Sequence, residues 1–478
     1  MIYLLLVLYS AIFTWRAIIN FKSRQLFELF PSIVWLSVIV FPFVYQFNYF
    51  DPTTVGLHSL GVFLTGFTLL FCDSLNMGNI GWPPKSSGAT SFLNRHGKWL
   101  GIVIFLTIVT LQVSHILLMP KVPLFEKYFG ATTNESDLEV MRENSSNFLR
   151  VPRVLLYLFQ YTMLIFAPLG FWFLMKARRY NLSLILFLCC FFYSRITLAK
   201  GLLYVFLILC FILIWSELSQ GWRKKLSIGF GLAVALPLLY SLNFLLFHPN
   251  SIVNYVPKPK VINSYQGKVN ELYGTSKHPA LGLTDHLRLM NQDASVALAK
   301  PNRFEQYINY YVYRIFLVPV DVSDRWYAYF PAVYGDFFGY SLLKEKDFRF
   351  GIPPHPANLV GVWAFTKRFP SEYSDSNRSY ASIDADAYAR KGILGLVVVL
   401  VLLALVRILL KYTRLLSPAS GILNTTGLFV IGINLPMASL QATLIAQGVL
   451  MVLFLQGSLI FLDSEKFTQI CKNFAKPS

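Results

Sequence analysis

The run LGLVVVLVLLALVRILL, Leu394 to Leu410, decides the fold class. Apolar stretches of about 18 or more residues mark helices that cross a bilayer, and such stretches recur along this chain. The composition agrees. Of 478 residues, 55% are hydrophobic, 16% aromatic and only 14% charged. Soluble domains carry about 25% charged residues. The chain reads as an all-α polytopic membrane protein, and a large soluble core is not plausible.

Working outward from that run, the apolar periodicity predicts about eleven spans. They lie near 2–19, 29–49, 55–72, 99–118, 153–175, 181–194, 199–216, 227–247, 392–410, 421–436 and 440–462. Five short connections carry cations: Lys22/Arg24, Lys85/Arg95/Lys98, Lys176/Arg178/Arg179, Arg223/Lys224/Lys225 and Lys411/Arg414. All five fall on one side under this count, and Lys and Arg in short loops mark the cytoplasm. The N-terminus is then outward and the C-terminus inward. The same bias accounts for much of the net charge of +18, so nucleic-acid binding is not inferred from it.

Three regions follow. Residues 1–247 hold spans one to eight, with a first outward loop at 119–152. Residues 248–391 form one large outward segment with 17 Lys and Arg against 13 Asp and Glu. Residues 392–478 hold the last three spans and an inward tail. The five cysteines avoid the large segment and suggest neither a disulfide framework nor a metal site. No HExxH, DxD or Cys/His cluster occurs, so no protein-bound metal centre is expected and no cofactor is called for.

The stretch 181–216 is too long for one span and breaks at Ser194–Lys200, which predicts two short helices joined by a tight outward turn. Arg195 and Lys200 then stand at the outer lip. They read as a cationic site for a lipid phosphate, or as side chains snorkelling to headgroups. Arg142 lies in the first outward loop among Glu135, Asp137, Glu139 and Glu143, which also fits a solvated helix face. Phe304, Ile308, Tyr311, Ile315 and Val318 recur at helical spacing, which predicts a surface-lying helix ended by Pro319. Arg314 edges that stripe, and Arg325 precedes Trp326-Tyr327-Ala328-Tyr329-Phe330-Pro331. Aromatic faces beside guanidinium forks suit sugar stacking with phosphate pairing; interfacial anchoring explains the aromatics equally well.

His355, between Pro354 and Pro356, is a candidate general base, although a lone loop histidine is more often incidental. Ala381, Ala385 and Ala389 form a small-residue stripe leading into the ninth span, which permits close helix packing. Asp384 and Asp386 either serve the dipole of that helix start, or place a carboxylate in an outer cavity as base or sugar-binding group.

Taken in order, Pro123-Leu124-Phe125 followed by Arg142, the Ser194-Arg195 turn, Arg314 through Pro331, and Ala385-Asp386-Ala387-Tyr388-Ala389 with Gly392 and Gly395 resemble the Wzy-type oligosaccharide repeat-unit polymerases of bacterial envelopes. The sequence departs from that pattern at Arg390-Lys391, where a neutral or aromatic residue is expected. The resemblance implies a GT-C-like architecture in the bacterial inner membrane and a metal-independent glycosyltransferase acting on the periplasmic face. Donor and acceptor would be glycans on undecaprenyl diphosphate, in contact with membrane lipid, with a chain-length-regulating co-polymerase as partner. It implies diphosphate and glycan binding by Arg142, Arg195, Lys200, Arg314, Arg325 and Tyr388, and a base among His355, Asp384 and Asp386. A ligase of the O-antigen type, a lipid-linked oligosaccharide transporter and a non-enzymatic scaffold remain as alternatives. Few charges are expected within the spans.

Overall fold

The computed structural model describes residues 2–23, 25–40, 52–75, 92–119, 122–129, 153–197, 200–217, 318–330, 337–338, 357, 360, 381–416 and 421–462. These residues form helices and turns, and no strand occurs among them. Six helices are long and apolar enough to cross a membrane, and four shorter apolar helices accompany them. The expected span at 227–247 lies outside the described residues.

In chain order the helices are α1 (Ile2–Lys22), α2 (Leu26–Trp35, continued by a π-helical turn at Leu36–Val40), α3 (Pro52–Ser74), α4 (Phe92–Leu118) and α5 (Pro123–Phe129). Next come α6 (Arg153–Tyr161), a second π-helical turn (Thr162–Phe166), α7 (Ala167–Lys176), α8 (Tyr180–Thr197) and α9 (Lys200–Glu217). The last are α10 (Val318–Tyr329), α11 (Ile383–Leu416), α12 (Gly421–Asn434), α13 (Leu440–Ile445) and α14 (Val449–Leu462).

Two packed groups organise them. In one, α3 packs against α1, α10 and α11, while α12 packs against α2, α11 and α14. In the other, α7 packs against α4, α8 and α9 around Ile108, Met163, Phe171, Leu186 and Phe206. Small residues set the close approaches. Gly66 faces the Phe13 ring, Gly101 faces Phe173 and Leu174, and Gly432 receives the Pro31 ring.

The surface of α11 shows what surrounds the bundle. Ile393, Val397, Val401 and Leu405 are exposed along one stripe, while Leu396, Leu400, Leu403 and Leu410 are buried on another. Both faces are aliphatic. A helix in water would carry polar residues on the outer stripe, so this one is built for hydrocarbon.

The expected ninth span is jointed. Lys391 (φ −159°, ψ 37°) and Gly392 (φ 60°, ψ −142°) leave helical geometry, which separates a short segment through Arg390 from the long apolar one. Gly392 has left-handed φ, and a Cβ there would come within 3.0 Å of the Phe337 ring. Gly392→Ala is therefore expected to destabilise the protein by about 1–2 kcal/mol through backbone strain alone. The check is a lower thermal unfolding midpoint in detergent; an unchanged midpoint would remove the joint as a specified feature.

The last expected span, 440–462, is two helices. Gly448 (φ 84°) separates α13 from α14, and its missing Cβ leaves room for Tyr161 and Ile165. The Tyr161 hydroxyl donates to the carbonyl of Ile445, tying the end of α6 to this break. The 181–216 stretch does form two helices, α8 and α9, but Arg195 belongs to the last turn of α8, because the helix runs on to Thr197. Pro319 opens α10 where it was expected to end a helix. The first turn of a helix has no backbone partner for that N–H, so proline fits there. The rest of the 304–318 stripe lies outside the described residues.

Candidate functional site

One set of buried polar residues of the first group gathers where α3, α10 and α11 meet. On α3, His58 and Gly61 lie one turn apart on the same face. A Cβ on Gly61 would meet the Tyr327 hydroxyl at 2.2 Å and Asp384 Oδ2 at 2.9 Å, so glycine is what lets both side chains reach the helix. Leading into α11, the stripe of Ala381, Ala385 and Ala389 is buried, as its spacing predicts.

His58 is the centre of the cluster. Its Nδ1 lies 2.6 Å from Asp324 Oδ1 of α10, and its Nε2 lies 3.6 Å from Asp384 Oδ2 of α11. All three side chains are fully buried. The imidazole stacks on the Tyr327 ring with centroids 5.1 Å apart. The Tyr327 hydroxyl donates to Asp384 Oδ2 at 3.2 Å. Tyr327 in turn lies against Tyr388, with centroids 4.6 Å apart, and Phe337 meets Tyr388 edge-on. Below this layer the Ser323 and Ser382 hydroxyls are 2.9 Å apart, and the Ser382 backbone N–H donates to Ser323 Oγ. That pair fastens the start of α11 to α10.

The two aspartates at the start of α11 have different environments. Both oxygens of Asp386 are taken by Arg390, at 3.0 Å from Nε and 3.4 Å from Nη2. The spacing i, i+4 on one helix face makes this pair possible. Asp384 has one oxygen on Tyr327, while Oδ1 makes no hydrogen bond among the described residues. A buried carboxylate oxygen without a donor is a group with capacity to accept a proton or a hydroxyl. Asp324, by accepting at Nδ1, fixes the ring of His58 so that Nε2 faces Asp384. The arrangement resembles the orienter and base of acid–base catalysis.

This cluster includes a residue of a candidate membrane span, His58 within Thr53–Ser74. His58 and Asp73 are on the same helix, α3, and 15 residues of helix span about 22 Å. Asp384 is level with His58 and Gly61, so it lies alongside the candidate span Thr53–Ser74 rather than in an outlying loop.

The remaining sequence candidates are placed as follows. Arg325 is buried on α10, one residue from Asp324. Tyr388 lines the cluster through its ring contacts. Arg195 is exposed on α8, with its guanidinium 5.4 Å from the Phe191 ring centroid one turn earlier. Its helix packs on α4, α5, α7 and α9, whereas the helix of Arg325 packs on α3 and α11, so these two cations belong to different packed groups. Lys200 opens α9. Arg142, Arg314 and His355 lie outside the described residues.

No family model, curated protein or solved structure matches the chain.

Sequence reasoning missed His58, Asp324 and the Asp386–Arg390 pair, and it read Tyr327 only as one of a run of aromatic residues. The available signal was an ionisable side chain inside an apolar span, which is a flag for function wherever it occurs. It also understated the charges within the spans. Arg16, Glu28, Asp73 and Arg407 form a second buried network, with Arg407 Nη2 at 2.7 Å from Glu28 and 3.0 Å from Asp73.

Proposed function

We propose that this protein is a metal-independent glycosyltransferase of the bacterial inner membrane, which polymerises undecaprenyl-diphosphate-linked oligosaccharide repeat units on the periplasmic face. The observation that carries the reading is Asp384: fully buried, one oxygen held by Tyr327 beside the His58–Asp324 pair, the other without a hydrogen bond among the described residues. The motif order from Pro123 to Gly395 supplies the substrate class, and the cluster supplies a base.

In this reading the acceptor hydroxyl oxygen attacks the anomeric carbon of the donor glycan. Its proton passes to Asp384 Oδ1. The bond from the anomeric carbon to the diphosphate breaks, and its electron pair leaves on undecaprenyl diphosphate. His58, held by Asp324, stabilises the aspartate position and shares the proton. Tyr388 offers a ring face to the sugar. Arg325 beside the cluster, with Arg142 and Arg314, is assigned to the diphosphate, whose developing charge preorganised cations stabilise, while Arg195 and Lys200 stand in the other packed group; loss of one such contact is worth about 2.7–4 kcal/mol.

The test is purified protein in liposomes with lipid-linked repeat unit. The expected product is a ladder of longer glycans on the same lipid. Transfer only to a foreign acceptor such as a lipid A core makes it a ligase. Delivery of unmodified lipid-linked glycan to the other leaflet makes it a transporter, and this second reading has an observation in its favour: buried ionisable groups occur at two depths along α3 and α11, as they do in proton- or ion-coupled carriers.

A further inference from the structure

We infer that the network around Arg16 and Arg407 is a binding site for a phosphate group at the end of the bundle opposite the Asp384 cluster.

Its members come from four helices. Arg16 of α1 contacts Asp73 at 2.7 Å through Nε and Glu28 at 3.4 Å through Nη2. Arg407 of α11 contacts both carboxylates through Nη2 alone. Lys411, one turn on, reaches Asp73 at 3.5 Å and the carbonyl of Cys72 at 2.6 Å. Three cations thus share two carboxylates, which leaves a net charge of +1.

Two facts say that an anion completes the set. Arg16 and Arg407 are 1% and 0% exposed, yet Arg16 Nη1 and Arg407 Nε and Nη1 make no hydrogen bond among the described residues. Buried guanidinium groups are ordinarily paired, because a charged donor removed from water without an acceptor is strongly unfavourable. The surplus is therefore both of charge and of donors. A phosphate matches it: one anionic group with several oxygens, suited to guanidinium forks at more than one angle. Lys411 and Asp73, 20% and 10% exposed, form the open edge through which the group is reached.

The connections 75–98, 177–182, 218–226 and 411–420 contain no Asp or Glu, although they carry many Lys and Arg. These are the connections the charge bias assigns to the cytoplasm. A phosphorylated ligand would come from that side, either as the headgroup of an anionic phospholipid or as free phosphate. The inference does not rest on the glycan-polymerase reading.

The experiment uses the full-length wild-type protein and Lys411→Gln, which removes the surplus charge while leaving both Arg–carboxylate pairs. Thermal unfolding in detergent is followed with inorganic phosphate against chloride at equal ionic strength. In parallel, nanodiscs of phosphatidylcholine alone are compared with nanodiscs containing phosphatidylglycerol, and retained lipid is read by native mass spectrometry. For the wild type, phosphate or phosphatidylglycerol raises the midpoint by about 2–4 °C or more, as a ligand of the native state must. Lys411→Gln loses that response. A response to phosphate alone names a soluble ligand, and a response to phosphatidylglycerol with retained lipid names a headgroup. A wild-type midpoint that moves with neither overturns the site. So does a Lys411→Gln protein that responds as the wild type does.

Discussion

On the proposed reaction, Asp384→Asn is expected to lower glycan elongation by about 10²–10⁴-fold, the range that removal of a general base produces, while the protein still inserts and folds. The amide keeps the shape of the carboxylate. Its oxygen still accepts from Tyr327, so the packing of α10 on α11 survives. What is lost is the ability of the second oxygen to take a proton. Asp386→Asn is the control, because both oxygens of that residue already serve Arg390. It weakens an ion pair on the first turns of α11 without touching the proton acceptor. Measured in the liposome assay with expression and unfolding midpoint in parallel, equal loss in both variants would mean that the aspartates serve only the fold. Retained ladder formation by Asp384→Asn would remove it as the base.

Arg407→Ala destabilises the protein by about 3–5 kcal/mol, the range for removing one partner of a buried ion pair. Arg407 is fully buried and bridges Glu28 of α2 to Asp73 of α3 from α11. Removing it strips Glu28 Oε1 of its 2.7 Å contact and leaves that carboxylate inside the bundle. Arg407→Met with Glu28→Gln recovers a large part of the loss, since the charge and its counter-charge go together. The measurement is the unfolding midpoint of each variant and the double-variant coupling. An additive pair would show that the two side chains do not interact.

Much of the fold is legible in the sequence because it depends on local pattern. The apolar runs are helices wherever they fall on described residues, and the alanine stripe at 381–389 is buried against neighbouring helices as its period demands. The joint at Lys391–Gly392 was less visible, because a glycine at the edge of an apolar run reads as a helix start. The same holds for Gly448, where one apolar run hides two helices. The site was legible in part. Asp384 and Tyr388 could be singled out from their place before a late span, and Arg325 from its aromatic neighbours. His58 and Asp324 could not be joined, because they are 266 positions apart and only the packing of α3 on α10 unites them. The inner network escaped for the same reason: Arg16, Glu28, Asp73 and Arg407 each look like a solitary charge at the end of an apolar run.

The interruption in α11 separates two mechanical roles. From Asp384 down to Arg407 the helical backbone geometry is interrupted at Lys391 and Gly392, whereas α3 runs as one helix from His58 to Asp73. A strut and a jointed arm thus stand side by side, and the direction of the aspartate-bearing segment is set by its own packing on α10 and not by the long apolar helix that follows it.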